Sequence, residues 1–166
     1  MFNIRKGIFE TNSSSTHSVC ISKHNDYEIP SELRFEVGEY GWENDFLQGP
    51  AELASYLYTA IYEICADRDE INSFKNYIYD TLGKYGCECD FVEPECTRWG
   101  LSDGYIDHAY ELRDFIESIR RSERKLMRFL FSPDSFIITG NDNEYTYDEI
   151  VKKTDFSQVE VYEKGN

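Results

Sequence analysis

The sequence predicts an α+β fold, a small mixed or antiparallel sheet packed against about three helices, in a single domain spanning residues 1–166. Three observations carry this. Apolar residues recur at helical spacing through the middle of the chain, and short alternating or β-branched segments lie towards both ends. With 40% apolar and 16% aromatic residues, there is material for one packed core.

The elements follow in chain order. Positions 4–9 and 18–23 are expected as short strands flanking a polar run, TNSSST. LRFEV (33–37) alternates apolar and charged residues, as a half-buried strand does. GEYGWEND interrupts regular structure. GPAELASYLYTAIYEICADRD then predicts a helix with Pro50 in its first turn and an apolar stripe of Leu53, Leu57, Ile61 and Ile64. A second helix is expected from about Asp69, through Ile71, Phe74, Ile78 and Leu82, to the glycines at 83 and 86. Asp67, Asp69 and Glu70 between these two helices have the character of caps. CDFVEP is a candidate strand. A third helix is expected from about Asp103 or Tyr105 towards Phe131, using Leu112, Phe115, Ile116, Ile119 and Leu126. SFIIT and QVEVY are the closing strands, with a turn at GNDNE and a short helix at YDEIVKK between them. The first two strands are expected to pair locally.

Charge narrows the function classes. With 32 Asp+Glu against 17 Lys+Arg, the net charge is −15, which opposes non-specific attraction to nucleic-acid phosphate or anionic lipid. The surplus serves solubility or offers an acidic surface to a basic partner. No apolar run approaches the roughly 20 residues that span a bilayer. MFNIRKGIF lacks the order of a secretion signal, and five cysteines are an odd number, so reduced thiols and a cytoplasmic location are expected. The chain contains no Walker loop, dinucleotide fingerprint, calcium loop or H-E-x-x-H pair. No cofactor is expected.

The N-terminal end, from Met1 to Asn25, differs from the rest, with Arg5, Lys6 and Lys23 against Glu10 alone. The hydroxyl-rich run is too long for a tight hairpin and supplies hydroxyls rather than turn formers. A loop that satisfies its own backbone accounts for it. So does a phosphate site, formed by Asn12, Ser13, Ser14 and Ser15 with Arg5 and Lys6. Glu10 and His17 extend the second reading, because cleavage of RNA by its own 2′-OH needs a general base and a general acid. A carboxylate and an imidazole fill those roles near neutral pH, while Arg5, or Lys6 with Asn12, stabilises the phosphorane. A serine nucleophile with His17 as base ranks lower, since no G-x-S-x-G context is present.

Further along, Arg120, Arg124 and Arg128 recur at every fourth position, flanked by Arg121 and Lys125. On one helix they share a face, either solvated and paired with surplus carboxylates or a strip for RNA or a partner. Cys87, Cys89 and Cys96, with Cys65 or His108, are candidate zinc ligands. They lack the C-x-x-C pairs typical of structural zinc, so buried thiols are expected and no metal.

RKGIFETNSSSTHS (5–18), and GEYGWE (38–43) followed by ASYLYTAIYE (54–63), resemble a family of small proteins carried by bacteriophages and mobile elements of Gram-positive bacteria. The resemblance extends from the N-terminus to about Cys65, and Tyr40 stands where the family typically has Phe. It implies a counter-defence role in a bacterial host, of the anti-CRISPR kind, with a host CRISPR effector or its guide RNA as partner. Glu10, Asn12, Ser13, Ser14, Ser15 and His17 are the positions it carries over. Two functions follow: a metal-independent ribonuclease that inactivates guide RNA, or a non-enzymatic acidic mimic of nucleic acid that blocks an effector nuclease. A phage structural or assembly role is a third.

Overall fold

The computed structural model describes residues 15–41, 45–97, 100–107, 109–141, 149 and 152–163. In chain order the elements are β1 (Ser15–Ser22), β2 (Glu32–Phe35), β3 (Glu39–Tyr40), β4 (Phe46–Gln48), α1 (Pro50–Ile64), α2 (Arg68–Gly83) and β5 (Glu88–Phe91). There follow β6 (Cys96–Thr97), β7 (Gly100–Leu101), β8 (Tyr105–Ile106), a 3₁₀ turn (Ala109–Leu112), α3 (Arg113–Arg120), α4 (Glu123–Phe131), β9 (Phe136–Asn141) and β10 (Val159–Glu163). The class is α+β.

The main sheet is antiparallel, in the order β10-β1-β9-β4. His17, Val19 and Ile21 alternate onto the face that meets the helices, where Val19 and Ile21 join Ile137 in the main core. Cys20, Phe136, Ile138 and Val159 form a smaller cluster on the other face, with Phe156 and Val161 packed against it. Helix α1 is the hub. Its positions 56–61 are all buried, as expected of a helix enclosed on every side. Pro50 occupies its first turn, and Gly49 before it takes φ +95, a conformation open to glycine. Helix α2 is capped by Asp67, whose Oδ1 accepts from the Glu70 backbone N–H, and Glu70 reaches back to the N–H of Ala66. A parallel pair, β2 with β5, lies beside α1 and α2.

Two expectations are corrected. The first is the local pairing of positions 18–23 with 4–9. Along Ser18–Cys20 both edges of β1 are taken by β9 and β10, which come from the opposite end of the chain, so the strand is central and its partners are distant. Positions 4–9 lie outside the described residues.

The second is the single helix from about Asp103 or Tyr105 to Phe131. Tyr105–Ile106 instead pairs in parallel with Glu39–Tyr40 as a short strand, and the helical stretch breaks at Arg121–Ser122. Ser122 takes extended angles and caps α4, its Oγ accepting from the Lys125 N–H at 3.3 Å. The signal is present in the sequence: a serine followed by a first-turn glutamate, inside an apolar pattern that runs on unbroken.

Candidate functional site

Residues 17, 40 and 56, distant in sequence, meet in space. His17 of β1 is wholly buried, and its Nδ1 lies 2.9 Å from the hydroxyl of Tyr56 on α1. The ring of Tyr40 packs against Tyr56 with centroids 5.0 Å apart, and the Tyr40 hydroxyl donates to Ser55 Oγ at 2.8 Å. Ser55 in turn donates to the Glu36 carbonyl at 2.6 Å. One turn on, Thr59 Oγ1 accepts from the Gly38 N–H at 2.9 Å and donates to the Ser55 carbonyl at 2.8 Å. His17, Gly38, Tyr40, Ser55, Tyr56 and Thr59 are therefore one connected network. The Tyr40 hydroxyl thus holds Ser55. Burial raises the Tyr40 phenol above its ordinary value and the Tyr56 phenol well above it, so both keep their protons and remain hydrogen-bonding groups.

For the predicted acid–base site this has a direct consequence. The polar run is expected to be loop through Thr16, yet Ser15, Thr16 and His17 are strand, paired with Asn141, Gly140 and Thr139 of β9. Period-two alternation running back from Ile21 through Val19 to His17 is the available signal. The His17 imidazole is wholly buried on the core side of the strand, with Nδ1 at the Tyr56 hydroxyl. Arg5, Lys6, Glu10, Asn12, Ser13 and Ser14 lie outside the described residues.

The basic strip does not form. Arg120 ends α3, and Arg124 and Arg128 belong to α4, so the every-fourth spacing crosses the break and the five cations do not share one helical face. Most are engaged. Arg120 pairs with Glu70 at 3.1 Å and lies over the Phe74 ring; Arg121 pairs with Glu117 at 2.9 Å. Lys125 bonds both Glu160 and the Tyr162 hydroxyl at 2.6 Å, and Arg128 donates to Asn25 Oδ1 at 2.8 Å. Arg124 stands exposed. Three of the five, Arg120, Arg121 and Lys125, are thus paired with the protein's own carboxylates.

The thiols are all unbridged. Among the described residues no group of three or more His, Cys, Asp or Glu is placed to hold a metal ion. Cys20 and Cys87 are buried, Cys65 and Cys89 half-buried, and Cys96 exposed. Burial pushes the Cys65 thiol up to about 11 and the Cys89 thiol up to about 12. Those two remain thiols at neutral pH.

What the sequence does not reveal is a groove of about 880 Å³ between positions 26–28, the entry to α1 and the exit from α4. Tyr27, Pro50, Phe131 and Pro133 give it a mostly apolar surface, and Asp26 and Glu28 stand at it with exposed carboxylates. Among the described residues, no Lys, Arg or His lines it. Its walls come from three segments well separated along the chain, so no local motif announces it.

The wider surface carries the acidic surplus of the sequence. Arg34, Arg68, Lys75, Lys84, Arg120, Arg121 and Lys125 are each held in ion pairs with the protein's own carboxylates. Asp26, Glu28, Glu32, Asp69, Glu88 and Asp134 are exposed and take part in no ion pair among the described residues. No helix among the described residues is long and apolar enough to cross a membrane. Compared with known proteins, the chain matches no protein-family model, no curated protein and no solved structure.

Proposed function

We propose that the protein acts by binding, as an acidic decoy that occupies the basic nucleic-acid channel of a defence nuclease; in the setting implied by the motif resemblance, this is a host CRISPR effector. The observation that carries this reading is the surface just described: in a chain of net charge −15, Asp26, Glu28, Glu32, Asp69, Glu88 and Asp134 stay exposed and outside ion pairs among the described residues, while Arg34, Arg68, Lys75, Lys84, Arg120, Arg121 and Lys125 are paired internally. The ribonuclease alternative depends on His17 exchanging a proton with substrate, and the burial of His17 against Tyr56 weighs against it.

The test is competition. A guide-loaded effector is mixed with the protein, and target-DNA binding is followed by gel shift across a salt series. The expected result is loss of DNA binding that weakens steeply as salt rises, since exposed charges are screened within about 10 Å at 0.1 M. The guide RNA, recovered in EDTA and run on a denaturing gel, keeps its length. Shortened guide RNA would replace the binding reading with the nuclease one. Salt-insensitive association, or no effect on DNA binding, would also overturn the decoy.

A further inference from the structure

We infer that the groove walled by positions 26–28, Pro50 and Phe131–Pro133 is the docking site for a basic, apolar-tipped peptide segment of the partner protein; the inference rests on the decoy reading and gives it a location. The groove has the size of a ligand site, about 880 Å³ within the usual range of roughly 300–1,000 Å³. Its chemistry is specific. Tyr27, Pro50 and Pro133 offer an apolar, partly aromatic surface over the buried Phe131, and the rings of Tyr27 and Phe131 lie tilted against each other with centroids 6.4 Å apart. Asp26 and Glu28 flank Tyr27 in sequence, are exposed, and form no ion pair among the described residues. The nearby guanidinium of Arg128 is held by Asn25 Oδ1.

An apolar floor beside two such carboxylates, with no cation in the described lining, is complementary to Arg or Lys. The long alkyl stems of those side chains cover apolar surface while their heads reach the carboxylates. An Arg head also stacks on aromatic faces. An acidic or purely apolar segment would leave Asp26 and Glu28 uncompensated. The β2–β5 surface is acidic too, with Glu32 and Glu88 opposite one another, but Arg34 sits on it and pairs with Glu36 and Asp90.

The experiment uses the full chain with a fluorescein-labelled pool of short peptides alternating Arg with Phe or Leu, and a comparison pool carrying Glu in place of Arg. Binding is read by fluorescence anisotropy, and the contact surface by NMR chemical-shift mapping. The Arg pool should bind and the Glu pool should not, with shifts gathered at positions 26–28, 48–50 and 131–132. The D26N/E28Q variant should bind about tenfold more weakly, and the control E32Q/E88Q should stay within about twofold of wild type. All four positions are exposed and outside ion pairs among the described residues, so both variants should keep the wild-type urea midpoint. Absence of Arg-pool binding, or equal weakening in the control, would overturn the inference. The effector competition separates the two levels. If D26N/E28Q competes as well as wild type, the groove is wrong and the decoy stands. Groove binding without competition leaves the site and removes the decoy.

Discussion

Tyr56 is the residue on which the motif contacts converge, since it bonds His17 and packs Tyr40. Removing its hydroxyl takes a hydrogen bond from a buried imidazole nitrogen, which costs about 1–3 kcal/mol. Y56F should therefore unfold at lower urea with an unchanged slope, and a midpoint equal to wild type would show that the bond contributes nothing. Gly104 is sensitive for a different reason. A Cβ there would sit 2.9 Å from the Gly38 carbonyl oxygen and 3.0 Å from Val37 Cβ, beside the meeting of β3 and β8. G104A should be destabilised through this clash, by about 1–3 kcal/mol, and the same measurement decides it. The thiols make a third residue-level expectation. Iodoacetamide at mild alkaline pH should modify exposed Cys96 first, while Cys20, Cys65, Cys87 and Cys89 react fully only in urea, as mass spectrometry of the intact chain would show.

Among the elements, the break between α3 and α4 is set by Ser122 rather than by a glycine or proline. S122A should cost about 1 kcal/mol, because the Lys125 N–H loses its acceptor. Unchanged stability would assign the break to packing alone. The ion pairs that tie α4 to β10, and α2 to the segment after β5, bring a pH dependence. Glu160 and Glu93 have pKa values held below the ordinary carboxylate value of 4.5, chiefly by hydrogen bonds from Lys125 and Lys75. A depressed folded pKa gives stability that is present above the unfolded value and lost as pH falls through the folded one. The urea midpoint should hold from neutral pH down to about 5 and decline below it. E160Q and E93Q should lie below wild type at neutral pH and converge with it at the acid end, by modest amounts, since both carboxylates are about half exposed.

At the scale of the whole molecule, the class and the positions of the first two helices were legible in the sequence, and the sheet order was not. Pro50, the stripe from Leu53 to Ile64 and the Asp67 cap mark α1 and α2, because helix signals lie within a few turns of one another. The apolar pattern continues across Arg121–Ser122, so periodicity hid the break that local capping made. His17 looked like a loop residue because composition outweighed alternation at that point. The neighbours of β1, and the groove against Phe131, depend on contacts between residues far apart in sequence, which no window of sequence contains. Binding, too, belongs to this scale. A decoy driven by total charge should lose affinity with salt much as nucleic acid itself does, whereas E32Q/E88Q alone should change little.

The central place of β1 also sets the order of events in the cell. Its two neighbours begin at Phe136 and Val159, so a nascent chain carries Val19 and Ile21 without sheet partners while most of the sequence is still to be made. At ordinary synthesis speeds that interval is on the order of ten seconds. During it α1 and α2 are free to form and to hold one another, but the sheet waits for Glu163 to clear the ribosome. Chains released early should therefore be substrates for proteases rather than partly folded, stable fragments.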